Sequence, residues 1–155
     1  MQTATSTTEI LNDLVLINND RIAGYEKALE ELQSKNDSAN SDLHVMFQRF
    51  IDESRDFRNE LGREVQVLGD DMAEGTMTSG KLYRVWMDVK ALFSGKDRHA
   101  ILSSCEGGED AALEAYEKAL DQEGLPEFLR ELINDQKEIL QEAQDDVKML
   151  RDQSK

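Results

Sequence analysis

The side chains of this sequence with the most capacity for chemistry are carboxylates, and their spacing suggests metal binding. Glu53-x-x-Asp56 and Glu106-x-x-Glu109 each set two acids three residues apart. On a helix that spacing puts both on adjacent turns of one face. With Glu26 and Glu138 as single donors, the six approximate the pattern of a di-metal helical bundle, in which two helices give one Glu each and two give Glu-x-x-His. The pattern is incomplete, because the only histidines are His44 and His99, and the positions three before them hold Ser41 and Lys96. In a chain with 33 acidic residues, spacings of three also arise by chance. The reading they support is a divalent-metal protein, holding iron, manganese or zinc through carboxylates, with weak or degenerate oxidase activity.

A second constellation competes with it. Asn18, Ser54, Glu109 and Gln136 interrupt four apolar stripes of helical spacing, each near the middle of its stripe. In four packed helices they could lie at one level, with hydroxyls from Tyr25 and Tyr116. Buried polar groups persist when partnered, and one left unpartnered costs about 1–3 kcal/mol. Such a layer would fix helix register, as a polar residue does in the core of a coiled coil. This is the preferred reading, with no cofactor expected. Nucleophilic catalysis has no support: Cys105 is the only cysteine and lies on an apolar helical face, and no Ser/His/Asp set can be placed. Gly107-Gly108 lacks the spacing of a phosphate-binding loop.

The elements that position these residues follow from the periodicity. Helices are predicted over about 7–33, 41–68, 98–120 and 126–151, with a shorter one over 81–93. Ser6 and Glu9 form a capping box at the first, Gly69 ends the second, Asp97 is the N-cap of the third, and Pro126 opens the last. The stripes run through Leu11, Leu14, Ile22, Tyr25, Leu29 and Leu32, and through Leu43, Phe47, Phe50, Phe57, Leu61 and Leu68. They continue through Ile101, Leu102, Cys105, Ala112, Ala115, Tyr116 and Ala119, and through Leu129, Leu132, Ile139, Ala143, Val147 and Leu150. Gly107 and Gly108 are expected to permit close approach of another backbone, and Trp86 to anchor the short helix. Short links make hairpins of the first and last helix pairs. The roughly 28 residues between the pairs are enough to cross the bundle, the arrangement of ferritin-like folds. The expected fold is therefore an all-α, ferritin-like four-helix bundle, one domain over 1–155, of two antiparallel hairpins joined by a crossover with its own short helix.

The net charge is −15, with 17 acids and 11 bases in residues 1–96 and 16 and 7 in residues 97–155. Acidity spread along the whole chain argues against nucleic acid and anionic lipid as partners. No stretch approaches the ~20 apolar residues of a membrane span, and the polar start, Met1 to Thr8, does not read as a signal peptide. A cytoplasmic location and a homo-oligomer, such as a side-by-side dimer, are expected.

Three blocks carry a family resemblance: Leu11–Leu32 with NNDRI-GYE, Ser79–Leu120 with WMDVKA, GKDRHAIL and CE-GED, and Leu150–Asp152. Together they resemble, over about residues 9–152, an uncharacterised bacterial domain-of-unknown-function family of four-helix bundles in the ferritin-like superfamily. The resemblance implies a rubrerythrin- or ferritin-type bundle and no established activity. Where relatives are expected to read Ala-His-Asp in the last helix, this chain has Ala143-Gln144-Asp145. The function expected is non-enzymatic, structural or interaction-based and stress-related by analogy, with the carboxylate metal protein as the alternative.

Overall fold

The computed structural model describes residues 6–34, 40–74 and 98–154. Among these the chain forms four helices and no strand: α1 (Thr7–Ser34), α2 (Ser41–Val67), α3 (Arg98–Leu120) and α4 (Glu127–Gln153). The expected helix over 81–93 with Trp86, and the expected cap Asp97, lie outside the described residues.

Local chemistry sets the ends. At α1 the Ser6 amide donates to Glu9 Oε1 and the Glu9 amide to Ser6 Oγ, both at 3.1 Å, so two donors without helical partners are satisfied reciprocally. At the end of α2, Gly69 has φ +91°. Its amide donates to the Gln66 carbonyl and that of Asp70 to the Val65 carbonyl. This pairing is a Schellman motif, which a left-handed glycine permits. Arg130 closes the end of α3 by donating to the carbonyls of Leu120 and Gln122. Pro126 has ψ 148° and sits just outside α4, one residue earlier than a first-turn position. Its carbonyl accepts from the Leu129 and Arg130 amides.

Contacts between the helices give their directions. Arg55 meets Glu26 and Asn12 meets Asp71, so α1 and α2 are antiparallel. Arg151 meets Glu106 and Tyr116 meets Gln136, so α3 and α4 are antiparallel. Arg21 meets Glu109 and Asn18 meets Tyr116, which sets α3 antiparallel to α1 as well. The order is up, down, down, up. Arg98 at the start of α3 pairs with Asp42 at the start of α2, whereas Asn12 near the start of α1 holds Asp71 and Ala73 beyond the end of α2. The chain between α2 and α3 therefore leaves one end of the bundle and re-enters at the other.

Each helix buries a seam that steps alternately by three and four. The seams are Leu14, Asn18, Arg21, Tyr25, Ala28, Leu32 on α1 and Leu43, Phe47, Phe50, Ser54, Phe57, Leu61 on α2. They are Leu102, Cys105, Glu109, Ala112, Tyr116, Ala119 on α3 and Leu129, Ile133, Gln136, Leu140, Ala143, Val147 on α4. A mean step of 3.5 keeps a seam facing its neighbours along the whole helix. Two expected core residues are exposed. Leu68 is 47% exposed because it lies past the last turn of α2, and Ile139 is 38% exposed because Leu140, about 100° further round, takes the inward position. Gly24 on α1 and Gly108 on α3 are both buried.

Candidate functional site: a buried ionic and hydrogen-bonded layer

At mid-height each seam turns polar. Asn18, Ser54 and Glu109 have no exposed surface and Gln136 has 2%. Between them lies a residue that reading the stripes missed, Arg21, which is 1% exposed and among the largest fully buried side chains. Its guanidinium is held on several sides. Nε donates to Glu109 Oε1 at 2.8 Å and Nη2 to Glu109 Oε2 at 2.7 Å, a bidentate pair. Nη1 donates to Ser54 Oγ at 2.8 Å and to the Phe50 carbonyl at 3.4 Å. The rings of Tyr25 and Phe50 lie 5.6 and 5.2 Å from its central carbon, close enough for cation–π attraction.

Burial by itself works against the Arg21 charge, but Glu109's charge and hydrogen bonds outweigh it and hold the guanidinium pKa above its ordinary value. Burial, followed by the Glu109 charge, pushes the Tyr25 hydroxyl well above its ordinary range. Tyr25 thus stays a neutral donor to Glu109 Oε2, at 3.0 Å. The same two causes, in the same order, raise the Cys105 thiol, so it packs as an unreactive apolar group.

A neutral chain of hydrogen bonds sits beside the ion pair. Asn18 Nδ2 donates to the Leu14 carbonyl at 2.9 Å and to the Tyr116 hydroxyl at 2.8 Å. Tyr116 donates to Gln136 Oε1 at 2.7 Å, and Gln136 Nε2 donates to Glu60 Oε1 at 2.9 Å and the Phe57 carbonyl at 3.3 Å. The two networks together join all four helices.

The six candidate metal carboxylates are not gathered with them. Glu26, Asp56 and Glu138 are exposed, Glu26 beside Arg55 and Glu138 beside Asn134. Glu106 pairs with Arg151. Only Glu53 and Glu109 face a common centre, and Arg21 lies between them, 3.6 Å from Glu53 Oε1. Among the described residues no group of three or more His, Cys, Asp or Glu is arranged to hold a metal ion. His99 Nδ1 lies 3.0 Å from the Arg151 carbonyl, which ties the start of α3 to the end of α4. His44 is half-buried.

What this arrangement can do is hold helices in register. None of the five side chains Asn18, Arg21, Ser54, Glu109 and Gln136 reaches solvent to act on a substrate. A signal for Arg21 did exist in the sequence: it stands three residues after Asn18 and four before Tyr25, on the same 3–4 seam. Reading Ile22 as the stripe member hid it.

The fold and its interior define a class, an all-α four-helix bundle whose middle is closed by its own charged and polar side chains. Residues 6–122 match the family described as "Domain of unknown function (DUF2383)", and the chain belongs to that family. The match takes in α1 to α3 and stops before α4. No curated protein and no solved structure matches the chain. Among the described residues no helix is long and apolar enough to cross a membrane.

Proposed function

We propose that the chain is a non-enzymatic bundle of ferritin-like arrangement, one domain over residues 1–155, with a structural or interaction role. The observation that carries this reading is the place of Arg21. Ferritin-like metal proteins put a cation between inward-facing carboxylates at mid-bundle, and here a guanidinium tethered to α1 stands between Glu53 and Glu109. Its positive charge balances Glu109 directly, and its three nitrogens are committed to Glu109, Ser54 and the Phe50 carbonyl. A divalent ion at that point would face a fixed positive charge within ordinary ion-pair distance. The up, down, down, up order, with one end-to-end connection, supports the ferritin-like part of the reading.

The experiment is elemental analysis of the chain purified without chelator, together with the Arg21→Met variant. The expected result is no stoichiometric iron, manganese or zinc in the wild type. Stoichiometric metal that is lost on Glu53→Gln or Glu109→Gln would replace this reading with a carboxylate metal protein.

A further inference from the structure

The six large apolar side chains exposed among the described residues all belong to one pair of helices. Val45 and Val67 are on α2 and Leu68 caps its end, Phe128, Ile139 and Met149 are on α4, and α1 and α3 contribute none. Arg49 opposite Asp146, and Phe57 opposite Gln136, give the antiparallel register of α2 against α4. That register sets Val45 level with Met149 and Val67 level with Phe128. Apolar side chains therefore stand in pairs at both ends of the α2–α4 seam, with Ile139 between and Leu132 half-buried beside it. Of the neighbouring helix pairs, α2 and α4 approach each other least closely.

Exposed charges on α2 are mixed, with Arg49 and Arg63 beside Asp56 and Glu60, whereas those on the α4 wall are chiefly acidic. Glu131, Asp135, Glu138 and Glu142 are exposed there, and Lys148 is the only exposed base of that helix. A second copy of the chain would bring the same acids against themselves at a net charge of −15 each. A nucleic acid or an anionic membrane would meet the same repulsion. What complements spaced apolar side chains along an acidic wall is a helix with an apolar stripe flanked by bases.

We propose that the α2–α4 face is a docking surface for one amphipathic helix of a partner protein, apolar along one side and rich in Lys and Arg next to that side. This rests on the interaction role proposed above. The anchors are Phe128 and Ile139 on α4, with Val67 across the seam, and Glu131, Asp135 and Glu138 meet the basic flank.

The test uses a fluorescent Leu/Lys amphipathic peptide of about 20 residues, a scrambled peptide of the same composition, and a Leu/Glu counterpart. Each is titrated with the full chain at about 0.15 M salt. The expected result is saturable binding of the Leu/Lys peptide, with the scrambled and Leu/Glu peptides at least about tenfold weaker. The double variant Phe128→Ser/Ile139→Ser changes only exposed positions, which keeps the fold intact, and is expected to weaken the Leu/Lys peptide by a similar factor. Glu30→Gln on α1 is expected to leave it unchanged. Equal binding of the scrambled peptide would overturn the proposal, since charge alone would then suffice. So would unchanged binding by the double variant, or sedimentation showing a dimer that the double variant disperses. These outcomes are separate from those of the metal analysis, because stoichiometric metal would sink the structural reading whatever the peptides do.

Discussion

The two halves of the buried layer solve one problem at different cost. In the charged half, Arg21 and Glu109 are removed from water completely. Desolvating two ions costs several kcal/mol each, and attraction repays it only when the geometry is good and the remaining valences are filled. The structure meets that demand: both Glu109 oxygens accept from Arg21, one accepts also from Tyr25, and Ser54 and the Phe50 carbonyl take up a further guanidinium nitrogen. The neutral half is looser. Asn18 Oδ1 is buried with no hydrogen-bond partner among the described residues, although its amide nitrogen donates twice. An amide tolerates one open acceptor at a modest cost, whereas an ion removed from water completely does not. The comparison teaches that charge, more than polarity, dictates how closely a bundle interior must be built.

The comparison breaks first at Glu109. Replacing it with Ala strands Arg21 in the core, and unfolding in urea is expected to show a loss of about 3–5 kcal/mol. Changing both partners, Arg21→Met with Glu109→Leu, is expected to recover most of that loss, since an apolar pair carries no desolvation cost. If the single and double variants were equally unstable, the ion pair would not be the origin of the effect.

Tyr116→Phe probes the neutral half. It removes the bridge between Asn18 and Gln136 and is expected to cost about 1–3 kcal/mol by the same measurement. A loss as large as that of Glu109→Ala would erase the distinction between the halves.

The smallest effect is expected at Glu53, where the charged half meets solvent. Its side chain is 24% exposed, and Oε1 is buried without a hydrogen-bond partner among the described residues. Burial raises its pKa above the ordinary 4.5, while Arg21 and Arg49 pull it back and Glu109 pushes it up again. A carboxyl with a higher pKa in the folded state binds its proton more readily when folded. Its contribution to stability therefore grows as pH falls through the folded value and is complete below 4.5. Glu53→Gln is accordingly expected to unfold at higher urea than the wild type at neutral pH, with the advantage shrinking as pH falls. An advantage that grew in acid would reverse the sign of the argument.

The four described helices were legible because their apolar residues recur at helical spacing and their ends carry strong local signals. The Ser6–Glu9 box and Gly69 each act within a few residues of themselves. Ile139 was misplaced because spacing alone does not separate a seam position from one a single residue away, although the two differ by about 100°, and Leu68 because the stripe's spacing continues past the last turn of α2. The polar interruptions at Asn18, Ser54, Glu109 and Gln136 were visible as types out of place in a stripe. Arg21 was not, since an arginine beside an apolar stripe usually extends its stem along the surface and keeps its charge in water.

By itself the sequence determined the four described helices, their boundaries to within a residue or two, and the presence of polar residues at the middle of each stripe. These are consequences of local periodicity and capping, which depend on neighbours three and four residues away. Only the tertiary structure decided which side chain would meet Glu109. That partner lies 88 residues distant along the chain, and it enters the core because packing the four seams together buries the Glu109 carboxylate, which must be neutralised.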